Sequence, residues 1–105
     1  MAPTVVVAVI TAAPGREDEF AQRLTHVAEC SQQEPGVLSY SVHRVPDTAQ
    51  YVLVEAYASR EAFDEHLATE HVSSFMAQFD DLTIGEPLIL QTQPLPIGDP
   101  AKRLT

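Results

Sequence analysis

An α+β fold with a single four-stranded antiparallel sheet is predicted for this 105-residue chain by three observations. Stretches rich in Val, Ile and Tyr alternate with stretches of helical spacing in the order strand, helix, strand, strand, helical pair, strand. The two middle strands are joined by Pro46-Asp47-Thr48-Ala49, which suits a hairpin loop and is too short for a helix. The other two connections each carry helical sequence, and right-handed crossovers put both on the same side of the sheet.

Thr4–Thr11 is dominated by β-branched residues and has no polar side, so it reads as a central strand covered on both faces. Pro14-Gly15 ends it. Over Arg16–Gln32, the residues Phe20, Leu24, Val27, Ala28 and Ser31 fall on one stripe. Glu17, Asp18 and Glu19 occupy the first turn, where the helix dipole favours negative charge. His26 lies off the stripe and reads as solvent-facing. Glu34-Pro35-Gly36 terminates the helix, because Pro cannot continue it and holds the preceding residue extended. Val37–Val45 and Gln50–Ala58 then form the hairpin. If Val45 faces Gln50, then Leu38, Tyr40, Val42 and Arg44 oppose Tyr57, Glu55, Leu53 and Tyr51 on one face. Ser39, Ser41 and His43 oppose Ala56, Val54 and Val52 on the other. This register sets Tyr40 directly across from Glu55, within reach of a phenol–carboxylate hydrogen bond.

Ser59–Phe79 holds two of the four histidines and an apolar pattern that changes phase midway. At about 100° per residue, Phe63, His66, Leu67 and Glu70 cluster on one side, and Val72, Phe75, Met76 and Phe79 on nearly the opposite side. One straight helix cannot bury both sets against one surface. A break near Ala68–His71 is therefore predicted, with Ser59 capping the first helix and Thr69 the second. The corner gathers His66, Glu70 and His71 beside apolar side chains, as the rim of a pocket. Beyond it, Gly85-Glu86-Pro87 reads as a turn and Leu88–Gln93 as a fourth, more weakly patterned strand. Pro94–Thr105 carries three of the eight prolines and is expected to be loose or laid along a partner, without ordinary strand or helix. The domain is taken as residues 1–95 and the Pro-containing C-terminal tail as 96–105.

This order of elements is the split βαβ, or ferredoxin-like, arrangement. With both helical connections on one side, the opposite sheet face has no cover of its own, yet Val5, Val6, Val7, Val9 and Ile10 leave the first strand no polar side, and the Leu/Tyr face of the hairpin could not sit in water cheaply. A second copy packed sheet to sheet supplies the cover. Each buried Val or Leu side chain contributes roughly 1.5–3 kcal/mol, so several outweigh the cost of association. A two-fold homodimer, a dimeric α/β barrel, is predicted.

The formal charge of −9 disfavours nucleic acid and anionic membranes as partners, since both repel an acidic surface. Small neutral or apolar molecules remain. No apolar run approaches the ~20 residues of a membrane span, and Met1–Thr11 lacks the basic start of a secretory signal. Cys30 is alone, which excludes an internal disulfide and a multi-cysteine zinc site. A cytoplasmic protein is expected.

Glu34-Pro35-Gly36 followed by Tyr40, then Glu55, then Ala62-Phe63 with His66, then His71, resembles the antibiotic biosynthesis monooxygenase domain over roughly Val5 to Gln93. The resemblance implies a ferredoxin-like dimer with a ligand cavity between sheet and helices in each subunit. Characterised members include oxygenases that act on anthrones and quinols without flavin or metal, haem-degrading enzymes, and an isomerase of a small phosphorylated signal. The anthrone-oxidising and haem-degrading members use an Asn and a Trp. This chain contains neither, so those roles have no position here and a quinol-type oxidation is the nearer analogy.

The expected function is a cofactor-independent monooxygenase or oxidase acting with dioxygen on a small aromatic, quinol- or anthrone-like substrate. Such chemistry requires a base that can take a phenolic proton in a dry site. His66, on the apolar side with Phe63 and Leu67, is the first candidate. Glu55, an acidic residue in mid-strand, is its helper or Tyr40's partner, and His71 is a second base or rim donor. Tyr40, Tyr57, Phe63, Phe75 and Phe79 are the expected substrate-binding residues, and all five also suit plain core packing. The alternatives are a non-catalytic module that binds a small molecule and a haem-handling protein. No metal is expected: on an unbroken helix the i, i+5 spacing of His66 and His71 turns them roughly 140° apart, and no third ligand is evident.

Overall fold

A computed structural model describes residues 2–105, so Met1, the first residue of the expected domain, lies outside the described residues. The elements are β1 (Thr4–Ala12), α1 (Glu17–Ser31), β2 (Val37–Arg44), β3 (Gln50–Tyr57), α2 (Arg60–Leu67), α3 (Glu70–Ala77), α4 (Phe79–Leu82), β4 (Thr83–Thr92) and a 3-10 turn at Pro100–Lys102. The four strands form one antiparallel sheet in the order β2-β3-β1-β4. This is the ferredoxin-like topology.

Alternation along β1 and β3 gives the sheet two distinct faces. Val6, Ala8 and Ile10 pair with Glu55, Leu53 and Tyr51 on the face that packs against the helices. Helix α1 buries Phe20, Leu24, Val27, Ala28 and Ser31 there, the stripe that its spacing predicts. On the other face Val5, Val7 and Val9 pair with Ala56, Val54 and Val52, and across β4 with Thr92, Leu90 and Leu88. Leu88 and Leu90 are about half exposed. Val5 and Ala56 are buried on this face, but Val7, Val9, Val52 and Val54 are only partly so, and its middle and β4 side are apolar and open in the single chain.

The helical region breaks where the phase change requires. The Ser59 hydroxyl accepts from the Ala62 N–H and caps α2, and Thr69 accepts from the Val72 N–H and caps α3. The predicted second helix ends earlier than expected, at Ala77, and a separate short helix α4 follows. Its Phe79 and Leu82 are both buried, so a fresh turn serves the core better than a continuation of α3.

Two further expectations are corrected. Gly85-Glu86-Pro87 is not a turn between elements but part of β4, which starts at Thr83 because Thr11 and Ala12 pair with Ile84 and Thr83. A register shift falls there, with Gly85 at φ 71°, which a residue lacking Cβ adopts without strain. Pro87 is tolerated because β4 is an edge strand interrupted by that bulge. In β2, Val37 rather than Leu38 pairs with Tyr57, because a bulge precedes Ser39; the pairs from Ser39 to Arg44 are as expected. The tail forms no strand and no α-helix, and its regular structure is the three-residue 3-10 turn at Pro100–Lys102, where Asp99 accepts from the Ala101 N–H.

Candidate functional site

The face of the sheet left unclear by the sequence is now fixed: Tyr40 and Glu55 both point towards the helices. Between them and α2 and α3 lies a cavity of about 120 Å³. Its floor is Val6, Ala8, Ile10, Leu53 and Glu55 from the sheet, with Tyr40 at one side. Phe63, His66, Leu67, Val72, Phe75, Met76 and Phe79 form the roof, and Pro87 and Ile89 close the β4 side. Leu67, Met76 and Ile89 are each a little over half exposed, which marks the mouth. A larger depression of about 460 Å³, between the N-terminal residues and the start of α2, is more open and has no histidine in its lining.

Six of the eight expected site residues line the smaller cavity. Tyr57 does not: it is fully buried behind Glu55, packed with Val6, Ala62 and Phe63. His71 does not line it either.

Glu55 is 5% exposed and faces Tyr40 in the ladder as expected, but its hydrogen bond comes from elsewhere. The Tyr57 hydroxyl, two residues along the same face, donates to Glu55 Oε1 at 2.5 Å. Burial pushes the Glu55 carboxyl above its ordinary value of 4.5, while the Tyr57 hydroxyl and the nearby His66 act in the opposite direction. Burial, and then the charge of Glu55, push the Tyr40 and Tyr57 phenols up as well, so both remain donors at neutral pH.

His66 sits in an aromatic cage, with ring centroids of Tyr57, Tyr40 and Phe63 at 5.3, 5.8 and 6.3 Å. The carboxylate expected beside it was Glu70 or Glu55. Glu70 is instead exposed in the first turn of α3, and the partner is Glu34, from the connection between α1 and β2. Glu34 Oε2 lies 2.8 Å from His66 Nδ1 and 2.7 Å from His71 Nε2. Only the helical corner permits this, since it turns two imidazoles five positions apart towards one oxygen. A carboxylate is acceptor-only, so His66 donates from Nδ1, and in the neutral ring this leaves the lone pair at Nε2. The expectation that no third ligating group stands near the two histidines is thereby overturned.

Glu34 was legible in the sequence as the residue before Pro35 and as the start of the Glu34-Pro35-Gly36 motif, with no site role attached to it. Its placement depends on Gly36, whose backbone passes close against Ala62 of α2, and on the hydrogen bond from the Ala58 N–H to the Gly36 carbonyl.

The fold and this site define a small α+β domain with a single-ring-sized apolar cavity and a carboxylate-anchored histidine in its wall. The family model for antibiotic biosynthesis monooxygenase matches residues 3–78, and the chain belongs to that family. "Putative monooxygenase Rv0793" of Mycobacterium tuberculosis is 30% identical over 80 residues, covering 76% of this chain and 79% of the relative. The solved structure of Rv0793 superposes with a TM-score of 0.86 at 27% identity, over 92% of this chain and 99% of that one. The crystal structure of PA3566 from Pseudomonas aeruginosa gives a TM-score of 0.84 at 28% identity, over 90% of this chain and 96% of that one. Among the described residues, no helix is long and apolar enough to cross a membrane.

Proposed function

We propose that the chain is an oxidase or monooxygenase that uses dioxygen on a small phenolic or quinol-like compound bound in the cavity between sheet and helices. The observation that carries this reading is His66: it lines an apolar cavity while Glu34 holds its Nδ1–H, which presents Nε2 as a base. Nε2 takes the proton of a bound hydroxyl, and the resulting anion gives electrons to dioxygen. For a quinol, the overall change is loss of two electrons and two protons, giving quinone and hydrogen peroxide. Tyr40 and Glu55, on the floor, orient the substrate oxygen. Phe63, Phe75 and Phe79 enclose its ring. Tyr57 acts through Glu55, and His71 through Glu34, as positioning residues.

The cavity's size limits the substrate. A void of about 150 Å³ accepts benzene, so about 120 Å³ suits a single ring, and larger guests need the side near Leu67 and Met76 to open.

The cavity also serves the second reading, a module that binds an apolar metabolite without turnover. That reading is favoured by Glu55, whose hydrogen bond is already taken by Tyr57. The experiment is oxygen uptake with monocyclic quinols under air. Wild type is expected to consume oxygen above the uncatalysed rate, and His66→Ala to lose roughly 10²–10⁴ of that rate. Equal rates for the two would remove His66 as the base. Tight binding of the quinol with no uptake would select the binding module.

The open sheet face belongs to the same proposal. Val7, Val9, Val54, Leu88 and Leu90 form a continuous apolar surface that a second copy, packed face to face about a two-fold axis, would bury.

A further inference from the structure

We propose that Glu34, His66 and His71 form a binding site for one first-row divalent metal ion of the Zn²⁺ class. The three side chains come from three separate pieces of chain: the α1–β2 connection, the last turn of α2 and the first turn of α3. Their ligating atoms, a carboxylate oxygen and two imidazole nitrogens, lie within 4.8 Å of one another. Two histidines and one glutamate are the donor set of open zinc sites, and borderline nitrogen donors select Zn²⁺, Co²⁺ or Cu²⁺ over Mg²⁺ and Ca²⁺.

The present geometry is close to a ligated one. With metal–ligand distances of about 2.0–2.1 Å, tetrahedral donors stand ~3.3 Å apart. The 2.7 and 2.8 Å contacts of Glu34 must therefore widen by roughly half an ångström. No charge needs to be created: the hydrogens on His66 Nδ1 and His71 Nε2 pass through solvent to the other nitrogen of each ring, and the freed lone pairs bind the cation. Entry is available from the surface, since the side chains of Glu34 and His71 are 14% and 18% exposed while that of His66 is 5% exposed. The acidic surface, at a formal −9, concentrates cations around the opening.

The site meets the cavity chemistry only at His66, through the opposite ring nitrogen, and Glu34 and His71 lie outside the cavity lining. Its test accordingly needs no turnover. The full chain, without a histidine tag and stripped with chelator, is titrated calorimetrically with ZnCl₂ and MgCl₂, and with CoCl₂ followed by visible absorption. One Zn²⁺ per chain, a cobalt band and no Mg²⁺ binding are expected. Glu34→Gln and His71→Ala should each weaken Zn²⁺ by more than ~100-fold, beyond the usual loss for an outer-shell partner. His43→Ala should leave binding unchanged, as should His26→Ala, which removes the exposed His26–Cys30 pair at 3.7 Å. If a ligand variant folds poorly, the Zn²⁺-dependent rise in melting temperature of wild type against Glu34→Gln decides instead. Absence of stoichiometric binding by wild type overturns the proposal. So does binding that survives in Glu34→Gln and His71→Ala, or that is lost in His26→Ala.

Discussion

Gly36 lies so close to Ala62 that a Cβ on it would stand 2.6 Å from the Ala62 Cβ. Neither atom is at the end of a flexible side chain, so backbone must move to accommodate any other residue. Gly36→Ala is expected to cost about 1–3 kcal/mol, the usual penalty for overpacking. At ~4–8 °C per kcal/mol for a domain near this size, a thermal melt resolves it. The same shift moves Glu34, two residues earlier, away from α2 and α3, so Zn²⁺ binding should weaken along with stability.

Glu55 carries a pH signature. Burial raises its carboxyl above 4.5 in the folded chain, so the folded state holds that proton more tightly than the unfolded one. Its contribution to stability is fully present below the unfolded value and is lost as pH rises through the raised one. Glu55→Gln keeps the shape and an oxygen for the Tyr57 hydroxyl but has no proton to lose. Urea unfolding at a series of pH values should show the variant gaining on wild type as pH increases from about 4.5. A constant difference across that range would mean that Glu55 titrates normally.

Ala8 is buried in the cavity floor, on the strand opposite Leu53. Ala8→Leu projects new volume into the void while leaving His66, Glu34 and Glu55 untouched. Quinol binding, measured calorimetrically, is expected to fall at least ~10-fold, by analogy with the 1–3 kcal/mol of a misfitted pocket group. Undiminished binding would put the ligand somewhere other than this cavity.

The open sheet face gives an assembly prediction. Sedimentation should show two copies per particle, and Leu90→Lys, on the β4 side of the face, should shift the particle to one copy without unfolding it. Two chains of formal charge −9 repel each other, so added salt should tighten the dimer by screening. A wild type that remains monomeric at high salt and protein concentration counts against the face as an interface.

Metal and base are linked through one ring. An ion on His66 Nδ1 leaves the hydrogen on Nε2, so the cavity faces a donor in place of a base. Zn²⁺ is therefore expected to suppress quinol-dependent oxygen uptake in wild type, and chelator to restore it. Unchanged uptake at a Zn²⁺ concentration that the titration shows to saturate the site would show that Nε2 is not the proton acceptor.

Local patterns carried most of the fold. The stripe on α1, the pairing of Tyr40 with Glu55, and the Ser59 and Thr69 caps all depend on residues near one another in sequence or joined by a tight hairpin. Position in β4 was less legible, because a strand containing Gly85 and Pro87 reads as a turn until a longer neighbour is known to pair with it. The polar site was half legible: His66 and Glu55 were visible as polar residues in apolar patterns. Glu34 was not, since it lies 32 and 37 positions from its two partners, in a connection whose path only the packing of Gly36 on α2 determines. The choice of Tyr57 over Tyr40 as donor to Glu55 follows from side-chain reach, which register alone does not specify.

Leu67, Phe75 and Met76 belong to two helices of eight residues each, started by a lone serine and a lone threonine. Tyr40 and Glu55 belong to the hairpin, and Glu34 to the connection leading into it. The mouth that a guest meets is thus written on the helices that carry His66 and His71, while the carboxylates that act with those imidazoles stand on other stretches of chain. Variation at Leu67, Phe75 and Met76 alone, with His66 and His71 kept, can retune which compounds are admitted while Glu34, Tyr40 and Glu55 stay where they are, a convenient starting point for anyone selecting new preferences from libraries of this protein.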